Sequence, residues 1–122
     1  MTTRKFDFSF DSYVCEGDYL QTEIDGITFL AMLERDEYSH VNDFECYSDH
    51  ARKAWFNNEW FYCTIYIGVR KNGTLIDSHV VSLSGIEANY PESDNAHLTE
   101  VADELLNEAI PIAKEELKRL KT

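Results

Sequence analysis

Residues 60–84 constrain the fold most, because they show two strand patterns joined by a turn of known geometry. Side chains in residues 60–69 alternate between two faces, and this period of two is typical of a β-strand. Asn72-Gly73 follows and favours a type I′ turn, in which both central residues have positive φ. The returning strand is predicted over residues 74–84. The chain is therefore expected to build an antiparallel sheet.

Pairing through this turn predicts both the register and the two faces of the hairpin. It places Ile76 opposite Val69 and Val80 opposite Ile65 on one face. The other face is also partly apolar, so each face offers a surface that another element can cover. Its apolar members are Trp60, Tyr62, Tyr66, Leu75, Val81 and Leu83.

Two further strand patterns precede this hairpin. Residues 18–24 and 27–34 flank Asp25-Gly26, and a two-residue Asp-Gly link between apolar runs is a strong hairpin signal. Phe6, Phe8 and Phe10 alternate with polar residues and predict another half-buried strand.

Two helices complete the pattern. Ser48 is a candidate N-cap for a short helix over residues 49–56. Asn95 or Asp94 is the candidate cap of a long C-terminal helix, whose apolar residues recur at helical spacing. Pro111 lies inside that pattern and predicts a kink, or two helices end to end. The predicted fold class is α+β: an antiparallel sheet of four to five strands, one short helix and a long, Pro-kinked C-terminal helix. A length of 122 residues suits one domain over residues 1–122.

Charge is the outlying feature of the composition. The chain has 23 acidic and 11 basic side chains, a formal net charge of −12. Direct nucleic-acid binding is disfavoured, since phosphate contacts require Lys and Arg, and an anionic membrane surface is disfavoured for the same reason. A basic protein partner is favoured, because a large field of one sign speeds its encounter. The alternative is that acidity serves solubility alone.

The acidic residues form two candidate partner-binding groups. Glu100, Glu104 and Glu108 lie four apart on the C-terminal helix, with Asp103 beside them, so they form a stripe that advances about 6 Å per member. The stripe is either a solvated face or a row of carboxylates that imitates phosphates. The second group lies on a predicted loop and comprises Glu34, Asp36, Glu37, Asp43 and Glu45, with Asp49 at the start of the short helix.

Aromatic residues are interleaved with this acidic loop. Tyr38, Phe44 and Tyr47 stand among its carboxylates, and aromatic residues are enriched in protein interfaces. Loops also carry binding residues more often than scaffold strands do. A simply solvated loop is the alternative.

No pattern of catalytic or metal-binding residues stands out. Cys15, Cys46 and Cys63 are odd in number and are expected to be reduced thiols in a cytoplasmic protein. The Cys and His residues lack the paired spacing of zinc sites. No apolar run approaches the roughly 18 residues that a transmembrane helix needs. We therefore expect no enzymatic activity, no cofactor and no metal.

The segment over residues 60–109 resembles a group of small acidic proteins encoded by bacteriophages and other mobile elements. The resemblance is carried by the aromatic strand Trp60-Phe61-Tyr62, the turn Lys71-Asn72-Gly73, residues 82–87 and the helix over residues 98–109. It implies a mobile-element setting, in which such proteins block CRISPR complexes or defence nucleases. It implies no functional residue.

Two functions are predicted. The first is a non-enzymatic, anti-CRISPR-like inhibitor or nucleic-acid mimic that presents its acidic loop and helix stripe to a basic, nucleic-acid-binding groove of a host protein. The second is a protein-interaction module or homodimer that acts through an exposed apolar sheet face, with Trp60, Tyr62, Tyr66, Val81 and Leu83 as the patch.

Overall fold

The structure, a computed structural model, describes residues 3–120 and has an α+β architecture. The predicted fold class is confirmed: a four-stranded antiparallel sheet is accompanied by one short helix and one long C-terminal helix. The elements are β1 (Tyr19–Ile24), β2 (Ile27–Arg35), a 3-10 turn (Val41–Asp43), α1 (Asp49–Phe56), β3 (Phe61–Lys71), β4 (Thr74–Ala88) and α2 (Ala96–Leu120).

The four strands form a meander in the order β1-β2-β3-β4. Both predicted two-residue turns are confirmed. Asp25 and Gly26 have φ of +53° and +78°, and Asn72 and Gly73 have the same two values. Left-handed backbone at both central positions matches the right-handed twist of the strands, which is why Asp-Gly and Asn-Gly serve here.

The main core lies between one face of the sheet and α2. Alternation along β3 buries every second side chain on that face, as predicted. The apolar stripe of α2 packs against them, and fully burying each large aliphatic side chain contributes about 1.5–3 kcal/mol. The core members from β3 and α2 are Phe61, Cys63, Ile65, Ile67, Val69, Leu98, Ala102, Leu105, Leu106, Ala109 and Ala113.

The predicted strand at Phe6, Phe8 and Phe10 is wrong, although its alternation is real. Phe6 and Phe10 are buried in the main core and Phe8 is exposed. The segment has no strand partner; instead it runs along α2, whose side chains bond its backbone. The amides of Arg4, Phe6 and Phe10 donate to Asn107 Oδ1 (3.0 Å), Asp103 Oδ1 (2.9 Å) and Thr99 Oγ1 (2.9 Å), respectively. We call residues 4–14 the N-terminal strap.

The predicted register of β3 against β4 is also wrong. Val69 pairs with Asp77 and Ile65 pairs with Leu83, because β4 has 15 residues against the 11 of β3 and accommodates the excess in three irregularities. β4 also continues to Ala88, beyond its predicted end at residue 84. In one irregularity, two residues of β4, Ser84 and Gly85, lie opposite the single residue Thr64 of β3, which is a β-bulge. Gly85 has φ of +74°, a backbone conformation that favours glycine at this position of a bulge.

A buried amide joins the strap to the start of α2. Asn95 is 0% exposed, and its Nδ2 lies 3.0 Å from the Ser12 carbonyl and 2.9 Å from Asn89 Oδ1. Asn89 in turn exchanges hydrogen bonds with both backbone groups of Val14, each at 2.8 Å. Of the two predicted capping residues, Asp94 accepts the amide of Ala96 at 3.0 Å, while the side chain of Asn95 turns into the interior.

Pro111 lies inside α2, which is one helix from Ala96 to Leu120 rather than two end to end. A kink at this position stays a prediction. Proline removes one helical hydrogen bond and crowds the carbonyl four residues earlier. We expect Pro111→Ala to raise the free energy of unfolding by about 1–2 kcal/mol, since the gain in the helix is partly offset by a freer unfolded chain.

Urea denaturation of Pro111→Ala checks this expectation. Glu115→Ala, at an exposed site one turn further along α2, is the matched control and is expected to change the free energy of unfolding by less than about 0.5 kcal/mol. An unchanged or lowered stability of Pro111→Ala would show that the ring makes packing contacts that outweigh the lost hydrogen bond.

Candidate partner-binding surface

The acidic loop comprises residues 36–48, and with the flanking Glu34 of β2 and Asp49 of α1 it carries both exposed and buried carboxylates. Asp36 is buried against the sheet. The exposed members are Glu34, Glu37, Asp43, Glu45 and Asp49. The predicted loop is therefore present, but Asp36 is not part of the surface that it offers to a partner.

Asp36 fastens the loop to β4. Its Oδ1 accepts the amide of Tyr38 at 2.9 Å, and its Oδ2 accepts the Ser39 hydroxyl at 2.8 Å and the amide of Gly85 at 3.0 Å. Burial raises the pKa of this carboxyl, but the hydrogen bonds from Ser39, Tyr38 and Gly85 outweigh that effect and hold the pKa below its usual value. The bulge at Gly85 thus supplies the amide that anchors the loop.

A reciprocal cap shapes the middle of the loop. His40 Nδ1 accepts the amide of Asn42 at 3.0 Å, and Asp43 Oδ2 accepts the amide of His40 at 3.2 Å. The His40 ring packs edge-on against Trp55 of α1, with 4.5 Å between ring centroids. Asp43 therefore helps to order the loop while its side chain stays exposed.

Arg52 ties the loop to α1. Its Nη1 donates to the Val41 carbonyl (3.2 Å) and to Asn42 Oδ1 (3.1 Å), and its Nη2 donates to the Phe44 carbonyl (2.7 Å). The planar guanidinium suits this role because it presents several donors in a fixed fork. One side chain thereby holds three residues of the loop, Val41, Asn42 and Phe44.

An aromatic second core lies beneath the loop. Val41, Ala54, Trp60 and Tyr62 are buried there, and Tyr47, Trp55 and Tyr90 pack against them. The indole of Trp60 donates to the Ala51 carbonyl at 2.8 Å, which fixes α1 on the sheet.

A chain of hydroxyl groups links this second core to β4. The Tyr62 hydroxyl donates to the Tyr47 hydroxyl at 3.1 Å, and the Tyr47 hydroxyl donates to the Glu87 carboxylate. Burial first, and then the hydrogen bond to Glu87, raise the pKa of Tyr47 far above its usual value. Both phenols therefore act as neutral donors that hold the loop against the sheet.

Three aromatic side chains remain exposed on this ordered frame. Tyr38 is 98% exposed, Phe56 at the end of α1 is 55% exposed, and Phe44 is 41% exposed. Exposed aromatic rings match the composition of protein–protein interfaces, in which aromatic residues are enriched. We call Glu37, Tyr38, Asp43, Phe44, Glu45 and Phe56 the acidic-aromatic surface.

The helix stripe is exposed as predicted, but its neighbour Asp103 has an internal role. Glu100, Glu104 and Glu108 lie on the solvent side of α2. Asp103 is half-buried and accepts the amide of Phe6 in the N-terminal strap. Asp103, predicted to bind a partner beside the stripe, therefore holds the N-terminal strap on α2 instead.

The two acidic groups lie on opposite sides of the sheet. α2 packs on the face that carries Cys63 and Ile65, whereas the loop packs on the face that carries Trp60 and Tyr62. Successive side chains of a strand point to opposite faces, so these two layers are separated by the sheet itself. The loop and the helix stripe do not form one continuous surface.

The apolar patch predicted for the second function is not assembled. Trp60 and Tyr62 are each 1% exposed because α1 and the loop cover them. Val81 packs against the main core, and Tyr66 stacks on His79 with ring centroids 4.1 Å apart. Leu83 is the exposed member of the predicted five.

The three cysteines are free thiols that differ in exposure. Cys15 and Cys46 are exposed free thiols, and burial raises the pKa of the Cys63 thiol to about 12. Cys63 therefore stays protonated near neutral pH. Among residues 3–120, no group of three or more His, Cys, Asp or Glu side chains is placed to hold a metal ion.

Comparisons with known proteins add no relative. A scan against protein-family models, a search of curated proteins and a search of solved structures each found no match. The resemblance to mobile-element proteins accordingly stays a prediction. None of the helices within residues 3–120 has the length and apolar character needed to cross a membrane.

The sequence patterns did not identify two residues that shape this surface, Phe56 and Arg52. Phe56 is the last residue of a short helix whose buried residues are Ala51 and Ala54. A large apolar side chain at the end of such a helix could have indicated an exposed aromatic residue. Arg52 gave a weaker signal, because an arginine after an acidic segment ordinarily predicts an ion pair rather than bonds to loop carbonyls.

Proposed function

We propose that this protein is a non-enzymatic binding protein that presents its acidic-aromatic surface to a basic surface of another protein. The observation that carries the proposal is the exposure of Tyr38, at 98%, on a loop held in place by Asp36 and Arg52. An interface that is ordered before binding loses less conformational entropy when the partner docks. An exposed aromatic side chain on an ordered stretch of backbone is a typical anchor of such an interface.

The charge of the surface supports a basic partner. Glu37, Asp43 and Glu45 are exposed on the same loop as Tyr38 and Phe44, and the whole chain carries −12. Complementary charge mainly speeds encounter and selects partners. Following the resemblance described above, we propose as partner a nucleic-acid-binding groove of a host defence protein, either a CRISPR complex or a nuclease, and as source a phage or mobile element.

This surface differs from a phosphate mimic spread over the whole molecule. Because the sheet separates the loop from Glu100, Glu104 and Glu108, a partner that docks on the loop leaves the helix stripe in solvent. The proposal therefore assigns binding to the loop and a solubilising role to the stripe. Charge reversal at the two sites distinguishes these roles.

The test compares two variants with the same change in net charge. Binding to a panel of basic nucleases and CRISPR effector complexes is measured by biolayer interferometry for Glu37→Lys/Glu45→Lys and for Glu104→Lys/Glu108→Lys. We expect the loop variant to weaken binding at least about tenfold and the helix variant to change it by less than about threefold. Tyr38→Ala is expected to weaken binding about 5- to 30-fold, as loss of 1–2 kcal/mol at an aromatic anchor requires.

A salt series completes the test. Charges on the surface are screened within about 8 Å at physiological ionic strength, so association should slow as salt rises. Equal losses of affinity in the two double variants would show that net charge alone, and not the loop, accounts for binding. A loss confined to the helix variant would transfer the function to the stripe, and binding that is independent of salt would exclude an electrostatic interface.

A further inference from the structure

A groove lies at the end of the molecule opposite the acidic loop. It runs between the turns of both hairpins and the C-terminal half of α2 and has a volume of about 480 Å³. Its apolar lining comes from Ile27, Ile76, Leu117 and Leu120. Leu120 is 67% exposed, so the apolar lining is accessible from solvent.

Three lysines surround this apolar lining. Lys71, Lys114 and Lys118 line the groove with one carboxylate, that of Asp25. Lys114 Nζ pairs with Asp25 Oδ2 at 2.8 Å, and Lys71 Nζ lies 3.3 Å from the Gly26 carbonyl. Lys118 is exposed on α2. The groove therefore gathers positive charge on a chain whose net charge is −12.

The groove and the acidic-aromatic surface are far apart. β3 begins at Phe61, beside the loop, and ends at Lys71, which lines the groove. Eleven residues of extended strand span roughly 30 Å at about 3.3 Å per residue. A ligand of the groove is thus separate from a partner docked on the loop.

We propose that this groove, the lysine groove, binds an acidic peptide segment that carries a large apolar side chain beside its carboxylates. The apolar side chain packs on Ile76, Leu117 and Leu120, and the carboxylates pair with Lys71 and Lys118. This assignment rests on charge complementarity and on the apolar lining, and it does not depend on the function proposed for the loop.

Two other occupants suit the groove less well. An acyl chain in so open a groove would leave much of its surface in water, so its burial would contribute little. A second copy, or an anionic membrane, would meet the repulsion of a chain with net charge −12. A short peptide adds few charges and places its side chains directly against the lining.

Fluorescence anisotropy with a defined probe tests the proposal. The probe is a labelled short peptide with one leucine and one phenylalanine flanked by aspartates, titrated with the full chain. We expect saturable binding that weakens at least about tenfold in Lys71→Glu/Lys118→Glu and about fivefold in Leu120→Ser. Lys118→Glu is also compared singly with Lys53→Glu, an equal charge change on α1 at the other end of the sheet, which is expected to leave binding within about twofold.

Circular dichroism of each variant verifies folding, and Lys118→Gln provides a milder change at the same position.

Absence of saturable binding to the wild-type chain overturns the proposal. So does an equal loss in Lys53→Glu, or equally tight binding of the same peptide with serines in place of its aspartates. Binding to anionic phospholipid vesicles without binding to the peptide would assign the groove to lipid instead. The Glu37→Lys/Glu45→Lys variant is expected to bind the peptide normally, which separates this test from that of the loop.

Discussion

Asn95→Ala is expected to lower the free energy of unfolding by about 3 kcal/mol. The Asn95 amide is fully buried and contacts the carbonyls of Asp11 and Ser12, while its Oδ1 accepts the amide of Asn89 at 2.9 Å. Alanine removes all of these hydrogen bonds and leaves the two carbonyls and the Asn89 amide without their partner. Each unsatisfied buried group costs about 1–3 kcal/mol, reduced where water enters.

Urea denaturation monitored by circular dichroism measures this loss. Asn95 has φ of +65°, so part of any effect comes from placing alanine in the left-handed region. Asn58→Ala controls for that part, because Asn58 has φ of +62° and an exposed side chain. We expect the control to lose about 1 kcal/mol or less. Equal losses at the two positions would mean that backbone strain, and not the amide network, accounts for the effect.

Asp36→Ala is expected to lower the free energy of unfolding by about 2–4 kcal/mol. The carboxylate accepts three hydrogen bonds, and hydrogen bonds to a charged group contribute about 1.5–3 kcal/mol each before the burial of the charge is subtracted. Glu34→Ala removes an exposed carboxylate two residues earlier and should change stability by less than about 0.5 kcal/mol. Similar values for the two variants would show that Asp36 does not anchor the loop.

The contribution of Asp36 also has a defined pH dependence. Its pKa is lower in the folded protein than the value of about 3.9 in an unfolded chain, so ionisation favours folding. This stabilisation is complete above the unfolded pKa and is lost as pH falls through the lower, folded pKa. The stability difference between wild type and Asp36→Asn should therefore be constant from pH 7 to about pH 5 and shrink below about pH 4. A difference that does not change with pH would exclude this linkage.

The parts of the fold that were predictable depend on local signals. Asp25-Gly26 and Asn72-Gly73 set both hairpins because their backbone preferences are fixed by neighbouring residues alone. Ser48 marked the start of α1 for the same reason, and its side chain accepts the amide of Ala51 at 3.1 Å.

The errors arose where distant residues decide the structure. Phe6 and Phe10 alternate as in a strand, but their amides bond to side chains of α2 that lie about 90 residues further along the chain. The register of β4 depends on bulges, and Gly85 lies in one of them. The amide of Gly85 donates a hydrogen bond to Asp36, which lies 49 residues earlier in the chain, so neighbouring residues do not indicate this contact.

The candidate site shows the same limit. Asp36 and Asp103 looked like their exposed neighbours Glu37 and Glu104, yet both accept hydrogen bonds from backbone amides. Both inward-facing residues are aspartates, whose short side chain is well suited to hold a nearby amide, as Asp36 does for Tyr38 two residues later.

The irregular course of β4 bears on how the protein behaves when it is concentrated. β4 is an edge strand of 15 residues, and a flat edge of that length would offer its free amides and carbonyls as a template for a strand of another molecule. Three breaks in its pairing interrupt the regular spacing of those groups. An incoming strand would therefore find only short matching stretches, so β4 is a poor seed for fibrils despite its length.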